Sequence, residues 1–207
     1  MKKTLIALII FTLSIGVVGC TSDKEETTSN TNEVVTQEES KEEDKRSSDE
    51  MYELYISKLD EVEKLFKENN LDFKEKNDDK NKKYDEKVSI TYEDSNKDSV
   101  GEIPVALYGL SFEDNGDISF IASKITLNVN GDEIKNKEFK FEDTEFYKLT
   151  NILIPDIGNE EEINKKVNDY YKNDGASIEV IDIENGKIKQ SIAVTQSYID
   201  YIITINP

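Results

Sequence analysis

The chain has no histidine, no tryptophan, a single cysteine and only three prolines. Without histidine there is no Ser-His-Asp or Cys-His arrangement, because the imidazole that relays the proton is missing. With one cysteine there is no intrachain disulfide. Zinc and copper sites built from imidazole and thiolate are excluded as well. The G-x-S-x-G, S-x-x-K, P-loop and G-x-G-x-x-G patterns do not occur. Positive charge is also scarce, with 26 Lys and Arg against 45 Asp and Glu and a net charge of −19. Nucleic-acid binding depends on neutralising phosphates with cations, so a nucleic-acid partner is not expected. Adhesion to an anionic lipid surface is disfavoured for the same reason.

Carboxylates are the one abundant chemistry. A carboxylate hydrolase needs two acids about 5–9.5 Å apart across a cleft. With 45 acids a chance pair has no specificity, and no positioned constellation is visible, so no catalytic residue is assigned. Oxygen-rich turns occur at Asp114-Asn115-Gly116-Asp117 and Asn128-Val129-Asn130-Gly131-Asp132. Neither has the calcium-loop spacing closed by a glutamate. Asn-Gly is already explained by hairpin turns, so no metal and no cofactor are expected.

What is present begins with a leader. Lys2 and Lys3 precede an apolar run, 5–18, broken only by Thr12, Ser14 and Gly16, and Gly19 supplies a small residue before Cys20. Basic, apolar, small is the layout of a secretory signal. The uncharged run 4–21 is short for a spanning helix of about 20 apolar residues. No basic stop-transfer cluster follows it; the next charges are Asp23, Lys24, Glu25 and Glu26.

Val17-Val18-Gly19-Cys20 resembles the lipobox of bacterial lipoproteins. The resemblance implies diacylglyceryl transfer to the Cys20 thiol, cleavage between Gly19 and Cys20, and a mature chain attached to the membrane through lipid on Cys20. It implies an extracytoplasmic location, with the outer face of a Gram-positive membrane as the natural setting. It covers the first 20 residues alone. A secreted protein with a chance cysteine, or an uncleaved anchor, is the alternative. Loss of Lys2 and Lys3 with the leader lowers the charge of −19 by two more.

Residues 20–48 then read as a lipidated cysteine and a disordered acidic tether. Its only aliphatic residues are Val34 and Val35, too few to offset chain entropy. Such a tether spans a few tens of Å, at ~5–6 Å per square root of its residue number.

Residues 49–207 read as a single α+β domain. Ser47-Ser48-Asp49-Glu50 has the form of a capping box. Behind it Tyr52, Tyr55, Leu59, Val62 and Phe66 make one helical stripe, ended at Asn69 and Asn70. Residues 74–87 are almost wholly polar and read as an exposed loop. Strands are expected over 88–92, 104–112 and 118–129, with a hairpin turn at Asn115-Gly116. A second hairpin turn at Asn130-Gly131 and a strand over 133–141, with Phe139 and Phe141 on one face, complete an expected meander. A helix capped by Asp143 or Thr144 follows and stops at Pro155. The next has an Asn159–Glu162 capping box and ends at Gly175. Strands over 176–183, 188–195 and 198–205 close the chain. The last has apolar residues on both faces, which suggests a central, doubly covered position.

Sequential hairpins predict a mostly antiparallel sheet, with an N-terminal helix and a central helix pair packed on it. The two halves share a helix-then-strands pattern without residue-level repetition. The expected function is a membrane-anchored, non-catalytic binding or adaptor domain for a protein or peptide partner. The alternatives are a carboxylate-based envelope hydrolase and an acidic inhibitor or immunity-type protein directed at a basic partner.

Overall fold

The computed structural model describes residues 45–75, 84, 88–173, 175 and 177–207. They form an α+β fold with a seven-stranded antiparallel sheet and four α-helices. Helix α1, Ser48–Glu68, starts on the capping box: the Ser47 hydroxyl accepts from the Glu50 N–H, and the Glu50 carboxylate accepts from the Ser47 N–H at 2.7 Å. These bonds also hold the Glu50 carboxyl below its usual value. The helix closes at Asn69, and Asn70 adopts the left-handed conformation (φ 52°) that asparagine tolerates.

Strand β1, Asp72–Glu75, runs two residues into the stretch expected to be a loop. Tyr84, also in that stretch, is buried. Its ring lies 4.7 Å from that of Tyr52 and its hydroxyl donates to Asp49. The polar average of 74–87 concealed one aromatic anchor. Residues 76–83 and 85–87 lie outside the described residues. Strands β2 (Ser89–Glu93), β3 (Val105–Phe112) and β4 (Ile118–Asn128) follow as expected. The β3–β4 turn bonds Gly116 N–H to the Glu113 carbonyl, and Gly116 sits at φ 88°. That is a turn followed by a left-handed glycine.

The expected second hairpin is not formed. Asn130 instead caps helix α2, Gly131–Lys137, its side-chain oxygen accepting from the Asp132 and Glu133 N–H groups. A Cβ on Gly131 would fall 1.9 Å from Gln196 Oε1 and 3.2 Å from the Tyr171 ring, so glycine is needed here for close packing. The expected strand over 133–141 is replaced by α2, an extended link and a 3-10 turn at Phe141–Asp143. The open edge of β4 is taken by β7.

Helix α3, Glu145–Leu153, has Thr144 at its N-cap position. The Thr144 hydroxyl donates back to the Phe141 carbonyl at 2.7 Å instead of capping. Helix α4, Glu160–Lys172, begins without the expected box, and Asn159 makes no side-chain cap bond. A cap needs extended backbone. Gly158 instead turns the chain at φ 65°, and Asn159 follows at ψ 15°. Glu160, Glu161 and Glu162 still complement the helix dipole. Beyond α4 the Gly175 N–H bonds the Tyr170 carbonyl. Strands β5 (Glu179–Asn185), β6 (Ile188–Val194) and β7 (Tyr198–Ile205) finish the chain.

The sheet order is β1-β2-β3-β4-β7-β6-β5, antiparallel throughout. Two three-stranded meanders, β2-β3-β4 and β5-β6-β7, therefore lie side by side with their last strands paired. β7 is internal, but only one of its faces is buried. Ile199, Tyr201, Ile203 and Ile205 point into the core, while Tyr198 and Ile202 are half-buried on the other face. Aromatic side chains join helices to the covered face. Tyr55 of α1 stacks on Tyr108 of β3 at 4.5 Å, and the Tyr108 hydroxyl donates to the Tyr55 carbonyl. Tyr201 of β7 meets Phe141 and Phe146 at 5.3 and 5.2 Å. Its hydroxyl sits between Thr150 of α3 and Gln190 of β6.

Burial, the leading cause, pushes the phenols of Tyr55, Tyr108, Tyr171 and Tyr201 well above the ordinary tyrosine value of about 10. The folded state keeps these protons where the unfolded chain releases them. Stability is therefore intact below pH of about 10 and falls as pH rises through the folded-state values. In an alkaline titration, tyrosinate absorbance from these side chains should rise together with loss of the far-ultraviolet dichroism. Complete tyrosine ionisation with the fold intact would contradict the assignment.

Candidate functional site

Gly19 and Cys20, the residues assigned to cleavage and lipidation, lie outside the described residues. The two oxygen-rich turns spend their side chains on their own structure. Asn115 Oδ1 accepts from the Asp117 N–H at 2.9 Å, and Asn115 Nδ2 donates to Asp117 Oδ2 at 2.8 Å. Asn130 caps α2. No group of three or more acidic, histidine or cysteine residues is gathered for a metal among the described residues. The Glu50 and Glu142 carboxyls are both held below their usual values. For Glu50 the cause is its bonds to Ser47, and for Glu142 it is a hydrogen bond from Asn164. That direction keeps a carboxylate ionised, the opposite of what a general acid needs.

Topology supplies a different kind of site, the side of strand β5 that pairs with no other strand among the described residues. A sheet of order β1 to β5 has two outer strands. β1 is four residues long and carries Lys74, which pairs with Glu93 at 2.7 Å. A short outer strand with a lysine is a usual protection against pairing with another chain. β5 is seven residues long, Glu-Val-Ile-Asp-Ile-Glu-Asn, with neither lysine nor proline. Val180 and, just before the strand, Ile178 are the most exposed large apolar residues described, at 60% and 62%. Ile181, next after Val180, is buried and fixes the strand to the core.

A groove of about 500 Å³ opens between the end of α4 and the start of β5. Tyr170 contributes its wall, with its hydroxyl 2.9 Å from both the Gly175 and Ser177 carbonyls. Desolvation, and then the nearby Glu179 carboxylate, raise the Tyr170 phenol above its usual value. Asp169 and Glu179 line the groove and form no ion pair among the described residues. Further along, Lys189 of β6 lies between Asp182 and Glu184 at 3.3 and 3.6 Å. The β5 margin is thus apolar at one end and acidic along its length.

Two other depressions are less suited to recognition. One, on the uncovered sheet face, follows from small residues in adjacent strands: Ser89, Gly109 and Ala122 occupy one row across β2, β3 and β4. The other lies beside α2, near Leu127 and Ile134. Neither combines exposed apolar side chains with an outer strand. Sequence reasoning placed a strand near β5 but carried no sign that it would be outermost. That property follows from the β4–β7 pairing.

Compared with protein-family models, curated proteins and solved structures, the chain matches none. No helix among the described residues is long and apolar enough to cross a membrane.

Proposed function

We propose that this protein is a lipid-anchored extracytoplasmic binding or adaptor domain, without catalytic activity of its own. It captures an extended, basic segment of a partner protein along strand β5. The observation that carries this reading is a seven-residue strand, unpaired on one side among the described residues, whose exposed side chains are mainly apolar and acidic. Strand addition supplies affinity through main-chain hydrogen bonds and specificity through alternate side chains. A second copy of the chain is a poor occupant. Two β5 strands paired antiparallel about Asp182 would set that carboxylate against its own copy with Glu184 diagonal to it, and like charges across strands repel. Lysine or arginine at alternate positions removes that conflict. The lipobox-type leader and the acidic tether support placing the domain at a short distance from an outer membrane face, where such a segment is accessible.

The reading is tested by nuclear magnetic resonance with two synthetic peptides of alternating sequence, Val-Lys and Val-Glu. Amide shifts should move in β5 and near Tyr170 with the lysine peptide and not with the glutamate peptide. Val180→Lys should abolish them while leaving the remaining spectrum unchanged. Equal response to both peptides, or shifts confined to the uncovered sheet face, would sink the proposal.

A further inference from the structure

The sequence contains three Asn-Gly pairs, Asn115-Gly116, Asn130-Gly131 and Asn185-Gly186. They are equivalent as sequence and unequal in the fold. The chemistry they share is succinimide formation. The backbone nitrogen of the glycine attacks Cγ of the asparagine, a new N–Cγ bond forms, and the Cγ–Nδ2 bond breaks. The side-chain nitrogen leaves as ammonia, carrying the proton from the glycine amide. Water then opens the ring at either carbonyl, giving aspartate or isoaspartate. The net change is one amide and one water converted to one carboxylate and ammonia, with no oxidant or reductant. The step needs a free glycine N–H, a free asparagine side chain and a backbone able to turn one into the other. Glycine suits it because no Cβ blocks the approach.

At Asn130 all three conditions fail. The side-chain oxygen caps α2 through two N–H groups, the Gly131 N–H bonds the Gln196 carbonyl at 3.1 Å, and Gly131 is packed under Gln196 and Tyr171. At Asn115 both ends of the amide are held by Asp117, and the Gly116 N–H bonds the Glu113 carbonyl at 2.9 Å. At Asn185 none of these restraints exists among the described residues. Asn185 is exposed, its side chain makes no hydrogen bond, and the Gly186 N–H has no partner. Gly186 and Lys187 form the two-residue turn, with Gly186 at φ 57° and open space around the position of a Cβ. Turning Asn185 toward the Gly186 nitrogen disturbs only the terminal pair of the hairpin, Asn185 with Ile188. Strand ends open far more cheaply than capped helix starts.

We infer that Asn185 is a built-in site of spontaneous deamidation, and that Asn115 and Asn130 are protected by the fold. The product places a further negative charge at the tip of the β5–β6 hairpin. The isoaspartate form also adds a methylene to the main chain where the outer strand ends.

The test is to incubate the full chain in warm, mildly alkaline buffer and follow each site by peptide mass spectrometry, with isoaspartyl methyltransferase labelling of the product. Asn185 should convert at least about tenfold faster than Asn130, the factor that corresponds to giving up a cap or a buried hydrogen bond. Asn115 should fall between them or with Asn130. In denaturant the three sites should converge, since each then presents the same Asn-Gly pair without the restraints of the fold. Asn185→Ser should remove the early isoaspartate signal and leave the fold intact by circular dichroism. Comparable folded-state rates at all three sites, or a slower rate at Asn185, would overturn the inference.

Discussion

Cys20→Ala is expected to abolish fatty-acid labelling completely and with it the lipid-dependent hold on the membrane fraction. The size of the effect follows from the number of acyl chains removed. Each buried methylene of a lipid chain contributes about 0.8 kcal/mol, so one chain binds reversibly and two are needed for stable anchoring. Diacylglyceryl attachment, as the lipobox resemblance implies, supplies two. Nothing described on the domain replaces them, because no described helix is long and apolar enough to span a bilayer. A chain of net charge −19 is repelled by anionic headgroups rather than drawn to them. Removing the thiol should therefore act as an all-or-none change rather than a partial weakening. Fractionation of cells expressing each form, with labelled palmitate in the medium, reads both parts of the prediction. If Cys20→Ala protein still takes up the fatty-acid label, the lipid anchor on Cys20 is wrong. Globomycin treatment of the unaltered protein separates the remaining alternative, since an uncleaved ordinary anchor is indifferent to that inhibitor.

The fold was legible wherever one local signal stood without a competitor. The Ser47–Glu50 box, the Asn115-Gly116 hairpin and the alternation of β2 to β4 needed no tertiary information. Asn130-Gly131 had two valid readings, because asparagine serves both hairpin turns and helix caps. Asp132 and Glu133 in the following turn favour a cap through the dipole. The choice is made by packing, through the glycine under Gln196 and Tyr171 and the pairing of β4 with β7. The β5 margin was not legible at all. Exposure of Ile178 and Val180 depends on which strand ends the sheet, and strand order is a long-range property. The helix-then-strands pattern of the two halves does have a structural counterpart in the paired meanders.

Phe141→Ala is expected to be among the most destabilising single substitutions, and the reason lies in the segment where a strand was expected. The alternation of Phe139 and Phe141 was a true signal of an extended, half-buried backbone. The segment's hydrogen bonds, however, go to side chains instead of a neighbouring strand. Asn168 of α4 accepts from the Phe139 N–H at 2.7 Å and donates to the Phe139 carbonyl at 2.9 Å. One turn earlier, Asn164 accepts from the Phe141 N–H at 2.6 Å and donates to Glu142. Two asparagines at helical spacing thus satisfy the backbone as a partner strand would. Phe141 is then driven under α3, fully buried against Phe146, Tyr147 and Tyr201 with ring centres 6.3, 6.1 and 5.3 Å away. Its truncation removes the transfer energy of the ring and leaves a cavity among aromatics that are themselves fixed, a loss of about 3–5 kcal/mol. A domain is stable by about 5–15 kcal/mol in total. Urea unfolding should therefore show the midpoint falling by about a fifth or more of its value, with the slope unchanged. Asn168→Ala tests the strap separately. It uncouples Phe139 without emptying the aromatic cluster, so it should cost about 1–3 kcal/mol from the unpaired backbone groups. If the two substitutions cost the same, the strap rather than the ring holds this segment in place.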